Sequence, residues 1–212
     1  MKVLLLNGST RRDGCTYLAL SEAAKALNAE GVETEIVQMG GGPVRDCVGC
    51  NSCAGKGQCV FGDDMVNEVI AKAKEADGFV FGSPVCYAHP SGQILSLLDR
   101  VFYAGVEGFL HKPAAVVATA RRAGTTASLD VLNKYLLNAE MPIVSSTYWN
   151  MVFGPAPELV EQDKEGLQTM RNLGRNMAWL LGCIEAGRQQ GRTPPQAERE
   201  NWTNFNRQEA KT

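Results

Sequence analysis

The sequence predicts an α/β fold built on a doubly wound, five-stranded parallel sheet. Short apolar runs alternate with segments whose apolar residues repeat at helical spacing, which is typical of successive βαβ units. The first apolar run has no polar interruption, as expected for a strand that is covered on both faces of a parallel sheet. With 212 residues, the chain has the length of one domain and can bury a sizeable core.

The predicted strands are apolar runs that end at glycine or at polar residues. The first reads Lys-Val-Leu-Leu-Leu-Asn and closes at Gly8, and the second alternates Val, Thr and Ile with Glu. We place the five strands at Lys2–Asn7, Val32–Val37, Gly78–Gly82, Pro113–Thr119 and Pro142–Ser145.

Helices are predicted between these strands and after the last one. Thr16 is a candidate N-cap for the first helix, and Asp63 or Asp64 for the second. We place helices at Thr16–Glu30, at Met65–Glu75, from Ser91 onward, at Thr126–Asn138 and, as one long C-terminal extension, within 156–187. Residues 1–188 then form one domain, and residues 189–212 form a polar tail that contains Trp202.

Charge and hydropathy exclude several classes of partner. The chain has 21 basic and 23 acidic residues, so its net charge of −2 does not attract nucleic acid or anionic membrane in bulk. The apolar run Val3–Leu6 is too short for the core of a signal peptide, which has about 7–15 residues. No stretch approaches the roughly 20 apolar residues of a membrane span. We expect a cytosolic protein that binds neither nucleic acid nor membrane.

The loop after the first strand indicates a phosphate site. It reads Gly8-Ser-Thr-Arg-Arg-Asp-Gly-Cys-Thr16 and leads into a helix N-terminus, where free N–H groups and the helix dipole favour an anion. Its hydroxyl groups and its two arginines can donate further hydrogen bonds to a phosphate. The loop has neither the Gly-x-Gly-x-x-Gly spacing nor the Gly-Lys-Ser/Thr ending of a Walker A loop, which argues against a dinucleotide here and against nucleoside triphosphate hydrolysis.

Two further loops follow the third and fourth strands. The first reads Gly82-Ser-Pro-Val-Cys-Tyr-Ala-His-Pro-Ser-Gly92, and the second reads Ala120-Arg-Arg-Ala-Gly-Thr-Thr126. Ligands of doubly wound folds bind outside the carboxyl ends of the strands. We therefore expect all three loops to meet at one edge of the sheet.

Together these loops carry a family resemblance. Gly8-Ser-x-Arg with Gly14 and Thr16, then Gly82-Ser-Pro-Val-x-Tyr with Asp99-Arg100, then Arg121-Arg-x-Gly124, resemble the NAD(P)H-dependent FMN reductases of the flavodoxin-like fold. The resemblance spans residues 1 to about 153 and implies the flavodoxin strand order 2-1-3-4-5. It also implies that FMN is the cofactor and that NAD(P)H is the co-substrate.

The resemblance implies a role for each loop, with the chemistry carried by the flavin and no catalytic side chain required. The first loop would hold the FMN phosphate through Ser9, Thr10, Arg11, Arg12, Gly14, Cys15 and Thr16. The second would line the isoalloxazine ring through Ser83, Pro84, Val85, Cys86, Tyr87 and Ala88. The third would flank the pyrimidine edge of the ring through Arg121, Arg122 and Gly124.

Four of the seven cysteines lie within residues 40–63. Their spacing, Cys47-x2-Cys50-x2-Cys53-x5-Cys59, puts four thiols in one loop in which Gly49, Gly55 and Gly57 permit tight turns. The repeated x2 spacing is that of the first three ligands of bacterial ferredoxins. The loop resembles the compact motif of the iron–sulfur flavoproteins, which implies a 4Fe–4S cluster that accepts electrons from FMN. Three other interpretations stay open, namely a four-thiolate zinc site, a redox-active thiol pair and a cysteine-rich loop without metal.

We therefore expect an NAD(P)H-dependent flavin oxidoreductase. Its electrons would go to a quinone, a flavin, a nitro or azo compound, an iron–sulfur cluster or an electron-transfer protein. Two alternatives are a flavodoxin-like electron carrier without substrate turnover and a zinc-stabilised interaction module. The resemblance also implies a homodimer or homotetramer, in which the cysteine loop and Trp202 are candidate contacts.

Overall fold

A computed structural model describes residues 1–201 and residue 203 of the chain. The strands are β1 (Lys2–Asn7), β2 (Glu33–Gln38), β3 (Gly78–Cys86), β4 (His89–Pro90), β5 (Ala114–Ala120) and β6 (Met151–Phe153). The helices are α1 (Cys15–Ala29), α2 (Val66–Glu75), α3 (Gly92–Gly105), α4 (Thr125–Asn138), α5 (Pro157–Val160) and α6 (Lys164–Gln189). A short 3-10 turn, Val106–Gly108, follows α3.

The sheet has the predicted doubly wound order. Five parallel strands lie in the order β2-β1-β3-β5-β6, and the two-residue strand β4 pairs antiparallel with the end of β3. In the centre, Leu5 of β1 is in register with Val80 of β3, and Val80 with Ala115 of β5. The predicted α/β class and strand order are confirmed, and β4 is an additional sixth strand.

Helices cover both faces of the sheet, because successive side chains of each buried strand point to opposite sides. In β1, Leu4 and Leu6 pack with α2, α3 and α4, whereas Val3 and Leu5 pack with α1 and α6. These two apolar layers contain most of the buried side chains and place the carboxyl ends of β1, β3 and β5 along one open edge.

The last predicted strand is wrong in position. Pro142–Ser145 contributes only a single bridge between Ala114 and Ile143, and β6 takes the fifth place in the sheet. The chain leaves the sheet after this bridge because its polar groups bond to α6. The Ser145 carbonyl accepts from Asn176 Nδ2 at 2.8 Å, and Ser146 Oγ donates to the Thr169 carbonyl at 2.6 Å.

The predicted long C-terminal helix is divided into α5 and α6. Asp163 caps α6, because its Oδ1 accepts a hydrogen bond from Gly166 N at 2.9 Å. Its Oδ2 accepts from Phe153 N at 2.7 Å, which joins the start of α6 to the end of β6. Across the described residues, no helix is both long enough and apolar enough to cross a membrane.

Glu35 on β2 is the centre of an ion-pair cluster with two lysines. Glu35 bonds Lys2 Nζ and Lys72 Nζ, each at 2.6 Å, and these hydrogen bonds hold the pKa of Glu35 below its usual range. A lowered folded-state pKa stabilises the protein above the unfolded pKa of about 4.3, and that contribution is lost as the pH falls. The carboxylate is 31% exposed, so solvent screening keeps its contribution below about 1 kcal/mol.

We expect Glu35→Gln to lower the free energy of unfolding at pH 7, and to have no effect at a pH where the wild-type carboxylate is protonated. Urea unfolding at both pH values measures this difference. Glu33→Gln, an exposed change on the same strand, is the control. An equal loss at both pH values would mean that the effect of Glu35 is not electrostatic.

Candidate functional site

Side-chain amides hold the loop after β1 in place. Ser9 N donates to Asn7 Oδ1 at 3.2 Å, and Gln38 Nε2 donates to the Ser9 carbonyl at 2.6 Å. Asn7 also donates to Gln38 Oε1, so the ends of β1 and β2 clamp the loop together. The sequence did not predict a role for Asn7 or Gln38 in this loop. The signal for such a role was the position of a polar residue at the end of an apolar strand.

The N-terminus of α1 has the features of an anion site. Gly14 is the N-cap and provides no side chain to bond the first N–H groups, and the first turn contains no acidic residue. Arg11 and Arg12 are exposed in the loop immediately before it. Unpaired backbone donors beside two positive charges suit a phosphate group.

The predicted cap of this helix is wrong. The helix begins at Cys15, one residue before Thr16, and the Thr16 side chain points into the protein. Its hydroxyl forms a 2.7 Å hydrogen bond with the hydroxyl of Thr119, and both residues are buried. Thr16 therefore joins α1 to β5. Cys15 Sγ donates to the Gly154 carbonyl at 3.4 Å, which joins the same turn to the segment after β6.

The second predicted loop is a hairpin. Strand β3 continues beyond Gly82 to Cys86 and turns through Tyr87 and Ala88 into β4. Tyr87 and Ala88 have φ values of 52° and 57°, which is the left-handed geometry that a two-residue hairpin turn requires. The sequence did not predict this strand extension because the turn lacks the glycine or asparagine that usually marks one.

Serine hydroxyls connect this hairpin to the loop after β1. Ser83 is fully buried, and its Oγ accepts a hydrogen bond from Ser91 N at 3.0 Å. Ser91 Oγ donates to the Gly8 carbonyl at 3.0 Å and accepts from Ile94 N at the start of α3. Ser91 is therefore the predicted start of this helix and also a link between two of the three loops.

The loop after β5 packs against the same hairpin. Gly124 has φ of 88°, and a Cβ added to it would lie 2.4 Å from Ala88 Cα. Arg121 and Arg122 are exposed beside this contact, and the Tyr87 side chain is fully exposed at the hairpin tip. The three predicted loops therefore meet at the carboxyl edge of the sheet.

The four clustered cysteines face one pocket. Cys53 and Cys59 are half-buried and pack against the apolar core, whereas Cys47 and Cys50 are exposed. All four line a single pocket together with Arg100 and Tyr103. In the part of the chain that the structure describes, no three His, Cys, Asp or Glu side chains are close enough to bind one metal ion. The chemistry of the donor set, four thiols that line one pocket, is that of the ligands of an iron–sulfur cube.

One face of α3 anchors the cysteine loop. Gln93 Nε2 donates to the Gly42 carbonyl at 3.0 Å, and Tyr103 OH donates to Asn51 Oδ1 at 2.6 Å. Between them on the same face, Ser96 bonds Asp46 and Arg100 bonds Asp64. The loop is thus held at four points along α3, whose N-cap is Ser91. Three loop glycines have the left-handed φ expected of tight turns: Gly49, Gly55 and Gly57.

The family model for NADPH-dependent FMN reductases matches residues 1–156 of the chain. The chain belongs to this family. The matched residues include the three loops at the sheet edge and the cysteine loop. The match confirms the family that the motifs in these loops indicate. The FMN reductase family supports FMN as the cofactor and an oxidoreductase or electron carrier as the class of protein.

Curated relatives of this FMN reductase family member carry the name iron–sulfur flavoprotein. One from Methanocaldococcus jannaschii is 34% identical over 193 residues, which cover 87% of this chain and 100% of the relative. One from Methanosarcina thermophila is 25% identical over 194 residues, which cover 89% and 99% respectively.

Solved structures confirm the flavodoxin-like fold. A flavone reductase superposes with a TM-score of 0.67 at 19% identity, covering 87% of this chain and 64% of that chain. RosB with bound 8-demethyl-8-formylriboflavin-5'-phosphate gives 0.63 at 17% identity, covering 97% and 93%. A flavodoxin from the domain Archaea gives 0.59 at 12% identity, covering 86% and 99%.

Proposed function

We propose that this protein takes electrons from NAD(P)H at an FMN bound to the sheet edge and passes them through a 4Fe–4S cluster to a redox partner. The observation that carries the proposal is the position of the four-thiol pocket along α3. Ser91, the N-cap of α3, lies among the flavin loops, and Arg100 lies against the cysteines. At 1.5 Å per residue these positions are about 13 Å apart along the helix axis, a short route between two redox centres.

The sheet-edge loops divide the binding of FMN among them. The open N–H groups of α1 and the side chains of Thr10, Arg11 and Arg12 bind the phosphate, while Ser9, Gly14, Cys15 and Thr16 shape the turn. The hairpin from Ser83 through Pro84, Val85, Cys86 and Tyr87 to Ala88 flanks the ring. Arg121, Arg122 and Gly124 border its pyrimidine edge, where a positive charge suits a reduced flavin. When bound, FMN accepts a hydride and can release electrons singly.

Cys47, Cys50, Cys53 and Cys59 would hold the cluster. The names of the archaeal relatives support iron over zinc, as does the spacing. Four-cysteine zinc sites usually consist of two Cys-x2-Cys pairs that a longer segment separates. In this chain three cysteines follow one another at x2 spacing, and the fourth comes only six residues later.

An electron carrier without its own substrate turnover is the second candidate function. Exposed apolar side chains surround the cysteine pocket: Val48 is 61% exposed, Val60 54% and Tyr103 58%. Such a surface suits a protein partner that collects electrons near the cluster. A homodimer or homotetramer stays a prediction, and the candidate contact Trp202 lies outside the described residues.

Anaerobic reduction separates these two functions. We expect NADH or NADPH to bleach the flavin absorption of the purified protein, and then to support repeated reduction of an added quinone or nitro compound. Dithionite serves as the control for a reducible flavin. If dithionite bleaches the flavin and neither nicotinamide does so, the protein is a carrier and the proposed reductase activity is wrong.

A further inference from the structure

Arg100 is a buried cation in an apolar helix face. Its side chain is 2% exposed, and it shares the inner face of α3 with Leu97, Val101 and Ala104. A buried arginine is rare unless its charge is paired and its N–H groups are bonded. The groups that pair with this guanidinium therefore indicate the role of Arg100.

The guanidinium directs two of its N–H donors at one sulfur atom. Nε and Nη2 each lie 3.4 Å from Cys59 Sγ. Nη1 bonds the Asp64 carboxylate and the Arg45 carbonyl, and Nη2 also bonds the Phe61 carbonyl at 3.1 Å. Because the planar group is bonded on every side, its orientation toward the sulfur is fixed.

The backbone of Cys59 is fixed as well. Cys59 N donates to Asn67 Oδ1 at 2.8 Å, and Asn67 Nδ2 donates to the Cys59 carbonyl at 3.0 Å. Asn67 lies in the first turn of α2, while Arg100 lies in α3, so two helices hold one cysteine. Cys47 and Cys50, by contrast, are exposed in the same loop. Cys59 is therefore the best anchored of the four cysteines.

We infer that Arg100 is a positioning residue for the cluster. Arg100 fixes the position of the Cys59 sulfur and donates two charged hydrogen bonds to that sulfur when Cys59 is a cluster ligand. This inference rests on the proposed function. Reduction adds negative charge to a cluster, and donors to a ligand sulfur stabilise that added charge. Arg100 therefore raises the reduction potential of the cluster. The carboxylate of Asp64 balances the net charge, so the effect comes from the two directed N–H groups.

The test compares Arg100→Lys with Arg45→Lys in the full-length protein, purified without oxygen. Lysine keeps the positive charge at position 100 but cannot direct two fixed donors at one sulfur. Arg45 is the matched control, because its guanidinium lies 4.7 Å from the centre of the Phe61 ring and bonds Asp63 instead of a cysteine. Redox titration monitored by electron paramagnetic resonance measures the cluster potential, and chelator challenge measures the rate of iron loss.

We expect Arg100→Lys to lower the cluster potential and to lose iron severalfold faster, while Arg45→Lys matches the wild type in both. An unchanged potential in Arg100→Lys, or an equal shift in Arg45→Lys, would overturn the role of Arg100. Wild-type protein without iron and sulfide would instead reject the proposed function itself. Bound FMN reports whether each variant is folded.

A measurement on the unaltered sequence covers the case in which Arg100→Lys does not fold. Protein labelled with [15N]arginine is reduced, and pulsed electron paramagnetic resonance detects nitrogen nuclei that couple to the cluster. We expect a 15N coupling that is absent from unlabelled protein. A reduced cluster without such a coupling contradicts the hydrogen bonds from Arg100.

Discussion

Cys59→Ala is expected to bind FMN but to lose its iron and sulfide. Wild-type protein purified without oxygen should contain about four iron and four sulfide per chain, and the variant less than one of each, because the proposed 4Fe–4S cube loses one of its four thiolate ligands. Cys59 is the thiol that α2 and α3 hold in place, so its removal also takes away the anchored corner of the pocket. Iron, acid-labile sulfide and flavin analyses on the same sample measure all three.

The control for this experiment is Cys183→Ala. Cys183 is an exposed cysteine on α6 and does not line the four-thiol pocket. It should leave the iron, sulfide and FMN contents unchanged. Wild-type amounts of iron and sulfide in Cys59→Ala would show that Cys59 is not a ligand, whereas loss of FMN as well would show that the fold had failed.

Gly124→Ala is expected to weaken FMN binding by at least tenfold. At a φ of 88°, an alanine pays about 1–2 kcal/mol for left-handed geometry. Its Cβ would also lie 2.4 Å from Ala88 Cα and 2.9 Å from Val85 Cγ1. The first of these neighbours is backbone and cannot rotate away, so the hairpin must move from its place beside the loop after β5. The strain itself acts on folding, whereas a displaced hairpin that loses about 1.4 kcal/mol of its binding free energy for FMN lowers the affinity tenfold.

Titration of FMN into the apoprotein, followed by quenching of flavin fluorescence, measures this dissociation constant. Gly92→Ala is the matched control, because it lies at the first position of α3 and its added Cβ would meet nothing within 4 Å. It should bind FMN as the wild type does. If Gly124→Ala also binds FMN with wild-type affinity, the contact between these two loops does not shape the flavin site.

The sequence predicted those strands whose own residues determine their burial. The run Val-Leu-Leu-Leu in β1 and the apolar residues of β5 predict strands that are buried on both faces of the sheet. Strand β4 has only two residues and exists through its pairing with β3, so no periodicity could reveal it. The displacement of the fifth strand to β6 depends on hydrogen bonds that Ser145 and Ser146 form with residues of α6, which lie much further along the chain.

In the candidate site too, the sequence predicted the features that local residues determine and not those that depend on distant contacts. Loops that follow parallel strands must meet at one edge, which is why the sequence could bring Gly8, Ser83 and Gly124 together. Thr16 could not be assigned correctly, because its partner Thr119 is 103 residues away. Arg100 occurs within an apolar helical pattern, and only the folded chain shows that its guanidinium faces Cys59. The cysteine spacing indicated the four thiols that line the pocket, but not the helix that holds their loop.

The most direct test is an absorption spectrum of protein purified without oxygen, combined with iron, sulfide and zinc analysis. The proposed function predicts flavin bands together with about four iron and four sulfide per chain. Flavin bands with zinc, or with no metal, would contradict the cluster and leave the four cysteines without their proposed role. A colourless protein that cannot be reloaded with FMN would contradict the flavin site as well.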